Sequence, residues 1–315
     1  MNNVDDITDV IRQIKPIQLS AEQARRFDLP TRSTLHDRLL AFAYFLGVML
    51  GDMSKARGKN RYNMQVLLKL SMHHQTNLRF GDYVAACAGF LGIRMHRVKD
   101  CIRHHPDDKS TFGAYVWTSQ TSEFLLWMFE KCLGLQPGET TTRNPIRAPW
   151  ILRMPRQFQI CFLQGLADSD GYVDLNKHEV GIVVEPNQAL IGQLLKHLHV
   201  HFRESEAKHQ ATVLLSIKEA FAMPIFSPQS RTHRYELASR LAHAQRLQGQ
   251  WPTWLRAEVD ELSNRGDRTG KIVLSILDKY DIAIRSQHIR KPKSKMENGC
   301  WCRGREAHER FSRSF

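Results

Sequence analysis

The sequence predicts an α+β protein of two pseudo-symmetric αββαββα units, each an antiparallel sheet on a layer of helices, with further helical segments at both flanks. Two observations predict this. An apolar stretch that ends in Asp occurs twice, as FLGVMLGDM at 45–53 and as FLQGLADSDGYV at 162–173. Each copy is followed by the same succession of strand, strand, helix, strand, strand and helix patterns, and the stretch from Asp52 to Asp170 has room for one such unit.

The elements follow in order. Residues 1–38 form a helix-turn-helix-like segment. Ser20 with Gln23 has capping-box spacing, a turn falls at Asp28 to Pro30, and a second short helix opens at Thr31. In a helix-turn-helix the second helix enters the major groove, which makes Arg32, Ser33, Thr34 and His36 the exposed readers. The first unit spans 39–135. After Asp52 a polar, basic stretch at 53–63 leads into the apolar run 64–70, then a helix near 77–91, strands near 93–103 and 112–118, and a helix near 122–133. A linker rich in Pro, Thr and Arg occupies 136–149. The second unit, 150–248, repeats the order with strands near 172–175 and 180–184, a helix at 187–200, strands near 202–206 and 211–216, and a helix near 234–247. Residues 249–291 are helical. There Tyr280-Asp281-Ile282 with Arg285-Ser286 keeps the internal offsets of Phe27-Asp28-Leu29 with Arg32-Ser33, which suggests a second helix-turn-helix whose Arg285, Gln287, His288 and Arg290 face DNA. Residues 292–315 read as a basic, disordered tail.

Composition narrows the function. A formal net charge of +13 and a pI near 9.6 favour a polyanionic partner, and double-stranded nucleic acid is the default. An antiparallel sheet with one wet face can carry cations outward and fit the major groove. Arg57, Lys59, Arg61, Lys69, Arg94, Arg97, Lys99 and Arg103 are assigned to that face in the first unit, and Arg203, Lys208 and Lys177 in the second. Arg32 and Arg285 join them from the flanks. The apolar run 39–50 is too short for a bilayer span of about 20 residues, so no membrane is expected. Cys87, Cys101, Cys132 and Cys161 sit among apolar neighbours as reduced core residues of an intracellular, cytoplasmic protein. Cys300 and Cys302 with His308 make a weak zinc pattern. Adjacent histidines such as His73-His74 point to opposite faces of a strand and do not chelate together.

The chemistry centres on the two repeated stretches. Gly47 and Gly51 in the first, Gly165 and Ser169 in the second, lie four apart on one helical face and allow another helix to approach closely. Asp52 and Asp170 then fall where each helix ends, a poor place for an anion. If the two helices pack together, the like charges also meet. A divalent cation between them resolves both problems, and hard oxygen ligands suit Mg²⁺ or Mn²⁺, which leave positions for water and substrate phosphate. The implied chemistry is phosphodiester hydrolysis.

On these residues the two stretches resemble the paired signature helices of the LAGLIDADG homing endonucleases. The second is the closer, with Leu163, Gly165, Leu166, Asp168, Asp170 and Gly171 in the motif's positions, and the first, 46–52, is looser. Two copies in one chain look like the single-chain branch of the family, and the resemblance covers about residues 39–248. It implies a monomer that cuts double-stranded DNA at a long asymmetric site, with Asp52 and Asp170 sharing cations and the sheets in the major groove. Asp168 is expected to serve a structural or capping role. Many family members carry a further basic residue on the strand before the following helix. Here the comparable positions hold His74 and Pro186, with Lys69 and Lys177 nearby as auxiliary candidates. That departure leaves room for two other functions on the same surface, a DNA-binding regulator that does not cut and a maturase acting on intron RNA.

Overall fold

The computed structural model describes residues 4–57, 63–98, 101–104, 111–136, 138–207, 210–247 and 251–289. Two long helices run through its centre, α3 (Leu35–Leu50) and α6 (Arg156–Asp170). α3 starts on a capping box in which Thr34 accepts from the Asp37 N–H at 3.2 Å and Asp37 accepts from the Thr34 N–H at 2.8 Å. From Ala41 to Leu50 every residue of α3 is buried, as expected of a helix that is apolar on all sides.

Each long helix leads into a sheet of the same topology. In the first unit β1 (Met53–Arg57), β2 (Met64–Ser71) and β5 (Thr111–Ser119) lie side by side. The far edge of β5 is filled by β3 (Met95–Arg97) and then β4 (Cys101–His104), with α4 (Thr76–Phe90) between β2 and β3. In the second, β6 (Gly171–Asp174), β7 (Glu179–Val183), β9 (Gln210–Ser216) and β8 (Arg203–Ala207) take the same order around α7 (Gln188–His197). All described pairings within the two sheets are antiparallel. The alternation in β2 is visible in its packing: Met64, Val66, Leu68 and Leu70 are buried while Lys69 and Ser71 are exposed. This is the predicted α+β architecture of twin units.

The first unit closes with α5 (Glu123–Trp127), which opens on Ser122 and runs into a π-helical turn at Met128–Cys132. The second closes with α8 (Ile217–Ala222) and α9 (His233–His243). One core joins both units and the N-terminal helices α1 (Val4–Gln13) and α2 (Ala21–Phe27), through Ile7, Ile11 and Phe27. α1 was not anticipated from the sequence. A smaller apolar cluster holds α10 (Thr253–Asn264), α11 (Thr269–Tyr280) and Ile282 to Ile284 together. Cys87 and Cys132 are buried and unpaired, and Cys161 is half-buried. No helix among the described residues is long and apolar enough to cross a membrane.

The flanks correct the expected helix-turn-helix pairs. α2 does open on the Ser20–Gln23 capping box, and Asp28 closes it in the left-handed region at φ 53°. Thr31, however, opens no helix. Residues 31 and 32 form a bend, 33 and 34 carry no assigned structure, and the next helix is α3 itself, continuous to Leu50. A reading helix in that place would have to leave the centre of the molecule, because its own C-terminal two-thirds is core. The physical reason is that the capping box sits at Thr34 and nothing from 35 to 50 breaks the helix. At the other flank Asp281 repeats the left-handed closure at φ 52°, so the echo between the two stretches is real at the level of the turn. Among the described residues a single 3-10 turn, Ser286–His288, follows it. Arg290, Cys300, Cys302, His308 and the predicted tail lie outside the described residues.

Candidate active site

The seam between α3 and α6 brings main chain against main chain. A Cβ on Gly47 would lie 2.1 Å from the Phe162 carbonyl oxygen, and one on Gly165 would lie 2.0 Å from that of Tyr44. At the end of the seam a Cβ on Gly51 would meet Ser169 Oγ at 2.1 Å and Asp170 Cγ at 3.1 Å. Ser169 fits there because its hydroxyl folds back onto its own helix, donating to the carbonyls of Gly165 at 2.9 Å and Leu166 at 3.0 Å. The four small positions singled out in the sequence therefore all lie in one contact.

This contact fixes the two acids. Asp52 stands directly after Gly51, and Asp170 is the last residue of α6. Burial pushes the Asp52 carboxyl up to about 7; the Asp170 charge adds to the rise and the Arg234 guanidinium opposes it. Burial likewise lifts Asp170 to about 6 against the pull of Arg234. Two largely desolvated carboxylates, one of them raised further by the other's charge, at the negative end of a helix form a site that favours added positive charge.

Asp168 has the structural role expected of it. Fully buried, its carboxylate accepts from Tyr44 Oη at 2.7 Å, Ser230 Oγ at 2.6 Å and the Ser227 N–H at 3.3 Å. Burial raises it to about 7 while these donors hold it down. The network pins residues 227–232 to α6 and so places the start of α9. There Arg234 Nη1 donates to the Asp168 carbonyl oxygen. The neighbouring His233 ring stacks on His74 with centroids 3.7 Å apart and planes 10° from parallel. Burial, then the Arg234 charge, lowers both imidazoles, His233 to about 4. His74, expected as an auxiliary residue, is therefore a neutral ring beside a cation that sequence reasoning missed. Arg234 and His233 lie about sixty residues past the motif in an Arg-rich stretch, and no spacing rule links them to it.

The auxiliary lysines part company. Leu68 pairs with Met53, so Lys69 falls one step on, beside the position of Asp52. The matching position beside Asp170 is Val183, since Ile182 pairs with Gly171. Lys177 is exposed in the β6–β7 turn.

The predicted cationic rows are only partly laid out as expected. Lys69 pairs with Val116 on the outward face, and Arg94 is exposed just before β3. Arg97 pairs with Trp117, a core position, so it stands on the helix side of the sheet with its guanidinium 5.0 Å from the Tyr115 ring centre. Strand alternation puts it on the opposite face from Lys69. In the second sheet Arg203 is exposed but bonded to Glu179 at 2.6 Å, and Asp174 pairs with Glu179 on that same face. The described part of the second outward face is thus mixed in charge, a correction to the expected row. Arg32 and Arg285 are both exposed. Arg57 lies in β1, where only its backbone is described, and Arg103 likewise in β4. Lys59, Arg61, Lys99 and Lys208 lie outside the described residues.

No protein-family model and no curated protein matches the chain. Solved structures do. I-DmoI in complex with DNA and Mn is 18% identical with a TM-score of 0.40, over 62% of this chain and 99% of that one. The homing endonuclease I-WcaI bound to its DNA recognition sequence is 10% identical with a TM-score of 0.43, over 66% and 96%. The N-terminal LAGLIDADG domain of DUF199/WhiA is 13% identical with a TM-score of 0.39, over 71% and 100%. The chain is similar to these solved structures of homing endonucleases and of a LAGLIDADG domain.

Proposed function

We propose that the chain binds double-stranded DNA and cuts both strands at a specific, asymmetric site by metal-dependent phosphodiester hydrolysis, as a monomeric endonuclease of the homing type. The observation that carries this is the meeting of Asp52 and Asp170 at the end of a seam too tight for any side chain on Gly47 or Gly165. Burial raises both acids above the usual carboxylate range, and the Asp170 charge adds to the rise of Asp52.

The donor set fits a hard cation. Two carboxylates with open sides leave positions for water and phosphate oxygens, the arrangement Mg²⁺ prefers. Among the described residues no third Asp, Glu, His or Cys converges with them. Bound there, Mg²⁺ or Mn²⁺ would activate water and stabilise the leaving oxygen of an in-line displacement. Asp52 and Asp170 hold that charge in place, one at each scissile strand. Lys69 gives the Asp52 side a cation that Val183 does not give the Asp170 side, so the two strands are served unequally. Asp168 acts from behind by fixing α9 and the end of α6. The exposed cations of the first sheet, Lys69 and Arg94 among them, supply phosphate contacts.

The mixed charge of the second sheet favours one other reading, a regulator that binds DNA without cutting. One assay separates them: the protein with Mg²⁺ and a plasmid carrying the intronless insertion locus, beside Asp52→Asn and Asp170→Asn. Linearisation by the parent and not by either variant supports the nuclease. Binding by all three with no break supports the regulator.

A further inference from the structure

We propose that Arg234 is a positioning residue of the carboxylate pair, a built-in counter-cation clamped to α6 through the Asp168 carbonyl. The inference rests on the reading of Asp52 and Asp170 as a cation-holding pair. It adds a third group, from a different element, that sets the charge of the site.

The placement is built at every step. Thr232 caps α9 by accepting from the Tyr235 N–H at 3.2 Å, which fixes the first turn. Ser227 and Ser230 bind the buried Asp168 carboxylate and fix the loop before it. On the far side His233 stacks face to face on His74, which ends the approach to α4 in the other unit. Arg234 leaves this clamp with one nitrogen on the Asp168 carbonyl, two residues before Asp170 on the same helix. The remaining guanidinium donors are free of that bond, and a planar fork is suited to carboxylate or phosphate oxygens. Both Asp52 and Asp170 feel its charge. Burial lowers both imidazoles beside it, so Arg234 is the cation that the start of α9 brings to the pair.

A counter-cation has a signature that a structural arginine lacks. It stabilises the metal-free pair, and it opposes a second cation entering the same place. Arg234→Gln should therefore lower the melting temperature of the metal-free protein at pH 8 by about 2–4 °C, and should cost much less in an Asp52→Asn, Asp170→Asn background. Mn²⁺ binding by Arg234→Gln, followed by calorimetry or by the electron-spin signal of the free ion, should tighten by about 3–10-fold from the relief of like-charge repulsion. Cleavage, where the parent cleaves, should fall. Arg234→Lys keeps the charge without the fork, and should restore the parent's Mn²⁺ affinity with incomplete recovery of cleavage. Equal thermal losses in both backgrounds, or weaker Mn²⁺ binding in Arg234→Gln, would overturn the proposal. The thermal comparison needs no metal and no DNA, so it decides the role of Arg234 even for a protein that proves unable to cut. If the parent's Mn²⁺ binding were unchanged by Asp52→Asn and Asp170→Asn, the reading of the acids themselves would fail instead.

Discussion

At the scale of single residues the site is a set of charges held against their own preference. The Asp52 carboxyl, at about 3.8 when unfolded, is raised to about 7 in the fold. The native state therefore binds more protons than the unfolded chain between those values. Its contribution is fully present below pH 4 and is lost as the pH rises through about 7. Without divalent metal the protein should be more stable at pH 5 than at pH 8, by about 1–2 kcal/mol from this group after solvent screening, and Asp52→Asn should reduce the difference by that amount while Asp168 and Asp170, raised in the same direction, keep the rest. Mg²⁺ added at pH 8 should recover most of it, whereas a profile that ignores both pH and metal would remove the case for a strained pair. Asp168 differs in having its own donors, three of which bond its carboxylate. Asp168→Ala leaves Tyr44, Ser227 and Ser230 without their acceptor, and should cost about 3 kcal/mol in urea unfolding. The acids and glycines of this site are legible in the sequence because their types and spacing recur twice. Arg234 and His233 are not, since folding alone carries α9 back to the end of α6.

At the scale of elements the decisive object is the α3–α6 seam. A methyl group on Gly47 or Gly165 would overlap a main-chain carbonyl, which cannot rotate aside, so the helices themselves must separate. Gly47→Ala and Gly165→Ala should each lose about 2–4 kcal/mol and, where the parent cleaves DNA as proposed, should abolish cleavage by moving the acids apart. Gly89→Ala in α4 is the control. Its Cβ would find its nearest neighbours at 3.9 Å, and the change should be neutral or stabilising by up to about 1 kcal/mol. A seam glycine that tolerated alanine as Gly89 does would show that close approach is not what sets the site. Element boundaries were largely readable, because capping residues such as Ser20 and Ser122 mark helix starts in the sequence. The helix expected from Thr31 failed on the same rule, since the stronger capping box lies three residues on and the apolar run behind it belongs to the core.

At the scale of the whole molecule the charge of +13 is unevenly used. The first sheet shows Lys69 and Arg94 outward, while Arg203 of the second is tied to Glu179. Measured as the slope of log affinity against log salt, Lys69→Ala or Arg94→Ala should reduce the dependence by about 0.9 each, and Arg203→Ala by clearly less. Equal slopes for all three would mean that the Arg203 ion pair opens on DNA. The sequence by itself determined the α+β class, the twofold repeat, the glycine seam and the two acids at its end. Those follow from residue type and local period, and the chain states them twice. Only the tertiary structure decided which cations share a face, that no separate helix starts at Thr31 and the next helix, α3, runs on into the core from Ala41, and that the start of α9 brings Arg234 onto the Asp168 carbonyl. Facing partners depend on strand register and on contacts between segments far apart in the chain, and neither is encoded in any short stretch of residues.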